Sequence, residues 1–130
     1  MDGFRFVHRE RVRFRDLDSM AHINNAVFAT YLEQARIEFL RSVGVMTAPT
    51  YTSMILARLE IDFRAPGDAD GEVEIGVRSS RCGTKSFDLE YEVRQGRRLL
   101  AQAKSVLVAY DYESNRSIEV PEEWRRQLAA

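Results

Sequence analysis

The sequence predicts an α+β domain in which a strongly curved antiparallel sheet of about five strands wraps around one long central helix. Three observations predict it. A single segment, 25–43, has helical periodicity; several segments alternate with a period of two and are joined by tight turns; and 130 residues suffice for one domain, 1–130, with a sizeable core. A lone helix in such a chain has only the sheet's apolar face to pack against.

Composition narrows the function classes. Hydrophobic residues make up 45% of the chain, with three Pro and seven Gly, as in a globular protein that leaves little room for disorder. Nineteen Lys and Arg against 20 Asp and Glu leave a formal charge of −1, which on charge alone excludes a polyanion binder such as a nucleic-acid protein. Cys82 is the only cysteine, so no intrachain disulfide or cysteine-based zinc cluster can form, and a reducing cytoplasm is the expected location. Arginines interrupt the apolar residues of the first 14 positions, unlike a signal peptide, and no apolar run approaches the ~18 residues of a membrane span.

From Phe4 to Phe14, Phe4, Phe6, Val12 and Phe14 share one side, while Arg5, Arg9, Arg11 and Arg13 make the other a solvated basic edge. His8 and Glu10 fall on the apolar side and call for a bulge, an exposed strand end or a mutual pairing. The polar stretch from Arg15 to Ile23 suits a structured loop. It feeds a helix whose apolar residues include Val27, Phe28, Tyr31, Leu32, Ala35, Phe39, Leu40 and Val43. Asn24 suits the N-cap, Ile23 and Phe28 the two halves of a hydrophobic staple, and Gly44 the left-handed residue beyond the C-terminus.

Four strands follow. The first alternates Ile55, Ala57, Leu59, Ile61 and Phe63 inward and ends at Pro66-Gly67-Asp68; the second carries Val73, Ile75 and Val77. Past Cys82-Gly83-Thr84 the third carries Phe87, Leu89, Tyr91 and Val93, and Gln95-Gly96 turns it into the fourth, Leu99 to Tyr110. The run Val106-Leu107-Val108-Ala109 predicts coverage on both faces there. The tail from Pro121 to Leu128, with Trp124, suits a short helix.

The chemistry-bearing segment runs from Asp16 to Ala26, placing Asp16, Asp18 and His22 immediately before the start of the long helix. Unpaired backbone N–H groups and the partial positive charge of that helix end can polarise a carbonyl and stabilise an oxyanion. A carboxylate beside them can act as nucleophile or as general base toward water. The same residues also have structural readings: the aspartates as turn or helix-end partners, His22 as a packed loop histidine, Glu33 as a solvated helical glutamate and Cys82 as a passive turn residue. No GxSxG, phosphate-binding glycine loop, HExxH or dinucleotide fingerprint is present.

The run Val12-Arg13-Phe14-Arg15-Asp16-Leu17-Asp18, continued by His22-Ile23-Asn24-Asn25-Ala26 and Tyr31-Leu32-Glu33-Gln34-Ala35-Arg36, resembles the signature of hot-dog-fold acyl-CoA thioesterases of the 4-hydroxybenzoyl-CoA thioesterase type. Asp62-Phe63-Arg64-Ala65-Pro66 and Lys85-Ser86-Phe87 are similar to its later strands, so the resemblance spans nearly the whole chain. It implies hydrolysis of an acyl-CoA to free acid and coenzyme A, with no cofactor and no metal. The catalytic carboxylate then falls on Asp18 and the carbonyl-polarising backbone N–H on Asn25. His22 and Asn24 fall among the substrate-binding positions. Lys85 matches a position that contacts the nucleotide of coenzyme A. The basic positions before it are Gly83 and Thr84 here, which leaves Arg81, Arg64 or solvent to the phosphates. The resemblance further implies a homodimer or homotetramer with sites at the subunit interface; the charge balance and the short apolar runs leave no nucleic-acid or membrane partner expected. Two other activities fit the same fold: dehydration or hydration of an acyl thioester by an acid–base pair such as Asp18 and His22, and acyl-thioester binding without turnover.

Overall fold

The alternating segments form strands and the helically periodic segment a helix, in a computed structural model that describes residues 1–47 and 53–129. The order is β1 (Phe6–Arg11), α1 (Asn25–Ser42), β2 (Met54–Phe63), β3 (Glu72–Cys82), β4 (Ser86–Gln95), β5 (Arg98–Asp111), β6 (Arg116–Ser117) and α2 (Glu122–Ala129). The sheet runs β1-β3-β4-β5-β2 with every pairing antiparallel, and β6 adds a sixth, two-residue strand beside β5. This is the hot-dog architecture, α+β in class.

Helix α1 buries Phe28, Tyr31, Leu32, Ala35, Phe39 and Leu40, which recur three or four residues apart. Alternate residues of β3 and β4, namely Val73, Ile75, Val77, Phe87, Leu89, Tyr91 and Val93, join them in one core. Each large side chain so buried contributes about 1.5–3 kcal/mol. Arg36 lies on the same buried face at 1% exposure. Its guanidinium donates to the Tyr91 hydroxyl at 3.2 Å, and that hydroxyl shares a 2.6 Å hydrogen bond with Ser105 Oγ.

Both helix ends follow their sequence signals. Asn24 Oδ1 accepts the Ala26 N–H at 2.9 Å, and Gly44 takes the left-handed conformation, φ +87°, that stops the helix. At the other end of the sheet α2 packs Trp124 edge-to-face on Phe87 at 6.2 Å, and Arg125 braces the β3–β4 turn through the Gly83 and Thr84 carbonyls. Cys82, the last residue of β3, is approached by Arg125 Nη1 at 3.6 Å. Among the described residues no helix is long and apolar enough to cross a membrane.

Local departures from simple alternation have identifiable causes. β1 is shorter than the 4–14 pattern because the chain leaves the sheet after Arg11 and makes a 3₁₀ turn, Phe14–Asp16, which turns Phe14 outward to 93% exposure instead of into the core. Of the readings open for His8 and Glu10, pairing is realised: Nε2 and Oε2 lie 2.8 Å apart. In β2 a bulge at Ala57 shifts the phase, so Met54 is buried and Ile55 is exposed, whereas Leu59 and Ile61 recover the inward side. The second half of β5 is closed on one face only: Leu107 and Ala109 are buried, Val106 and Val108 half-buried.

Candidate active site

The loop between β1 and α1 is pinned at both ends by its own polar groups. Asp16 is buried, 9% exposed, and its Oδ2 accepts the Tyr31 hydroxyl at 2.6 Å and the Arg13 N–H at 2.9 Å. Its carbonyl accepts the Asn24 N–H at 2.8 Å, tying the loop to the helix start. Burial, followed by the hydrogen bond to Asp16, raises the Tyr31 pKa well above its ordinary value, so the phenol keeps its proton.

Two residues on, Asp18 has the opposite environment. Its side chain is exposed, and Oδ1 accepts the Met20 and His22 N–H groups at 2.8 and 3.1 Å, closing a turn in which Ala21 takes φ +59°. No hydrogen bond among the described residues engages Oδ2. The loop is anchored again beyond it, where Ile23 N donates to Gly67 O at 3.0 Å and His22 bridges to Asp68 in the β2–β3 connection.

A groove of about 310 Å³ lies between this loop, the first turn of α1 and the end of β2. Asp18, His22, Asn25 and Arg64 line it, with Phe28 and Phe63 as apolar walls in edge-to-face contact at 5.3 Å. Asn25 is the first residue of α1, and its backbone N–H has no acceptor among the described residues. The groove therefore combines a carboxylate oxygen, an imidazole, a helix-end donor and a guanidinium, the parts needed to attack and polarise a carbonyl.

The remaining sequence-predicted residues lie elsewhere. Asn24 is outside the groove lining, with its side-chain oxygen on the helix cap. Glu33 is on the exposed face of α1. Arg81 and Lys85 sit at the far end of the 11-residue β3, roughly 33 Å along the strand from the groove's end of the sheet. Arg81 there holds both Asp88 carboxylate oxygens at 3.0 Å and Ser86 Oγ at 2.8 Å, and the Asp88 hydrogen bond raises its pKa further. Within one chain, then, four of the seven candidates meet and the two phosphate candidates of the β3–β4 turn do not. Sequence reasoning missed Phe63 as a groove wall, having counted it as core; for Asp16 the structural reading, a partner of the turn, is the one realised, with Tyr31 as a partner that reading did not name. Among the described residues no three His, Cys, Asp or Glu side chains gather as a metal site.

Residues 12–128 match the family model described as the thioesterase-like superfamily. A thioesterase from Thermus thermophilus, solved in complex with coenzyme A and zinc, is 34% identical and superposes with a TM-score of 0.87 over 98% of this chain and 94% of its own. The uncharacterized Bacillus subtilis protein YsmA is 27% identical over 97% of this chain and 86% of its own length. The chloroplastic acyl-acyl carrier protein thioesterase ATL3 of Arabidopsis thaliana is 24% identical over 91% of this chain, which spans 64% of that protein.

Proposed function

The chain belongs to the thioesterase-like superfamily, and on that premise we propose that it hydrolyses acyl-CoA thioesters in the cytoplasm to a free acid and coenzyme A. The observation that carries the reading is the groove lined by both Asp18, whose Oδ2 takes no hydrogen bond among the described residues, and Asn25, the first residue of α1. The thioester carbonyl oxygen is assigned to the Asn25 N–H and the helix end. There it gains on the order of 2.7–4 kcal/mol of transition-state stabilisation per well-placed donor. Asp18 either attacks the carbonyl carbon or takes a proton from the water that does. In both routes the C–S bond breaks, the thiolate leaves and is protonated, and water supplies the acid's second oxygen.

Phe28 and Phe63 offer apolar surface to the acyl group, and Arg64 offers the groove's own positive charge. We assign the assembled site to two subunits. β2 is an edge strand with Ile55, Leu56 and Phe63 exposed, and a second copy paired along it covers these residues and closes the groove at Phe63. A neighbouring subunit is also the source from which Lys85 can reach the coenzyme A phosphates, since its own chain's groove is too distant. The dehydratase reading is less supported, because the His22 imidazole makes no hydrogen bond with the Asp18 carboxylate, which accepts only backbone N–H groups, those of Met20 and His22.

Thiol release measured across short, long and aromatic acyl-CoAs, with acyl-carrier-protein thioesters alongside, tests the reading. Hydrolysis frees thiol from at least one acyl-CoA at a rate that Asp18→Ala lowers ~10²-fold or more. Release from carrier-protein thioesters alone would move the substrate to the carrier. Enoyl absorbance change without thiol, or tight binding without turnover, would overturn hydrolysis.

A further inference from the structure

A concavity larger than the Asp18 groove lies elsewhere among the described residues. A space of about 920 Å³ opens at the opposite end of α1, between the helix's last turn, the entry to β1, the middle of β3 and the end of α2. Its floor is apolar: Phe6 and Phe39, in edge-to-face contact at 5.6 Å, with Val43 and Leu128. Its volume is within the ~300–1,000 Å³ usual for small-molecule sites.

Its charge is the informative feature. The whole chain carries slightly more acid than base, yet the lining of this space holds Arg5, Arg78 and Arg126 and no Asp or Glu. Arg78 is committed, donating to Glu90 at 2.9 Å and to the Gly3 carbonyl at 3.0 Å and lying over the Phe4 ring. Arg5 and Arg126 are exposed and make no hydrogen bond or ion pair among the described residues. Two exposed, unpaired arginines in the lining of an apolar trough match a ligand with an anionic head and an apolar body. Desolvating the body on Phe6, Phe39 and Leu128 supplies affinity, and the arginines select against neutral ligands of the same shape.

We propose that this groove is a second ligand site, separate from the Asp18 groove, that takes a small amphipathic anion such as a medium-chain carboxylate. The inference does not depend on the hydrolytic reading. An acid of this class is also what that reading releases, so the site would then sense product.

Calorimetric titration of the full chain with decanoate, and with decanol as the uncharged counterpart, tests it. Decanoate should bind at one site per chain, at least tenfold more tightly than decanol. Arg5→Glu with Arg126→Glu should weaken decanoate tenfold or more, and Ser42→Trp, which fills the trough from an exposed position, should abolish it. Asp18→Asn and saturating coenzyme A should leave it unchanged. No binding to the native chain, equal affinity for decanol, affinity in both groove variants within twofold of native, or displacement by coenzyme A would each overturn the proposal. Circular dichroism of the variants separates loss of the site from loss of the fold, and thiol release measured on the same samples reports on hydrolysis independently.

Discussion

Asp16 and Asp18 carry the same side chain two positions apart, and their surroundings assign them different work. Asp16 is spent on Tyr31 and Arg13, so its carboxylate is a strut beneath the loop; Asp18 leaves one oxygen open to the groove. Tyr31→Phe removes the donor to a buried carboxylate and should destabilise the protein by about 1.5–3 kcal/mol, measured by urea denaturation. The same pair sets an alkaline limit. The folded Tyr31 pKa is raised above the unfolded value, so its contribution is fully present below pH ~10 and is lost as pH rises beyond that. Stability against pH should therefore fall less steeply above pH ~10 in Tyr31→Phe than in the native chain. An equal slope would show that Tyr31 ionises as freely folded as unfolded.

At the scale of elements, α1 joins the core to the groove: one face fills the sheet and its first residue, Asn25, lines the groove. Asn24 holds that end through its cap. Asn24→Ala should cost about 1 kcal/mol, roughly 4 °C in melting temperature, and Asn24→Ser should restore most of it. Gly67 lets the β2–β3 connection approach the loop, because a Cβ there would collide with Ile23, the residue that leads into the helix. Gly67→Ala should accordingly lower thiol release more than its melting temperature suggests, since the displaced segment carries His22 and Asn25. Most of this scale was legible from spacing: helix limits, caps, turns and the inward residues of β3 and β4 follow from periods of 3.6 and two. Where alternation misled, at Phe14 and Ile55, a 3₁₀ turn and a bulge changed the phase, and neither leaves a residue pattern that periodicity detects.

For the whole molecule, the two sheet edges differ. β1 exposes Arg9 and Arg11, whose charge discourages pairing, whereas β2 exposes Ile55, Leu56 and Phe63. Ile55→Lys with Leu56→Lys should shift sedimentation from dimer to monomer and lower thiol release although Asp18 is untouched; a monomeric native protein with full activity would contradict the two-subunit site. This scale was the least legible in the sequence. Spacing could bring Asp18, His22 and Asn25 to one helix end, but the strand length that separates Lys85 and Arg81 from them emerges only from the three-dimensional course of the sheet. Hydrolysis as proposed needs the charge of Asp18 beside the start of α1, and the most direct measurement is single-turnover thiol release by Asp18→Asn, which keeps the shape and removes the charge. The variant should fold and bind substrate while its rate falls ~10²-fold or more; a rate within a few-fold of native would remove Asp18 from the chemistry.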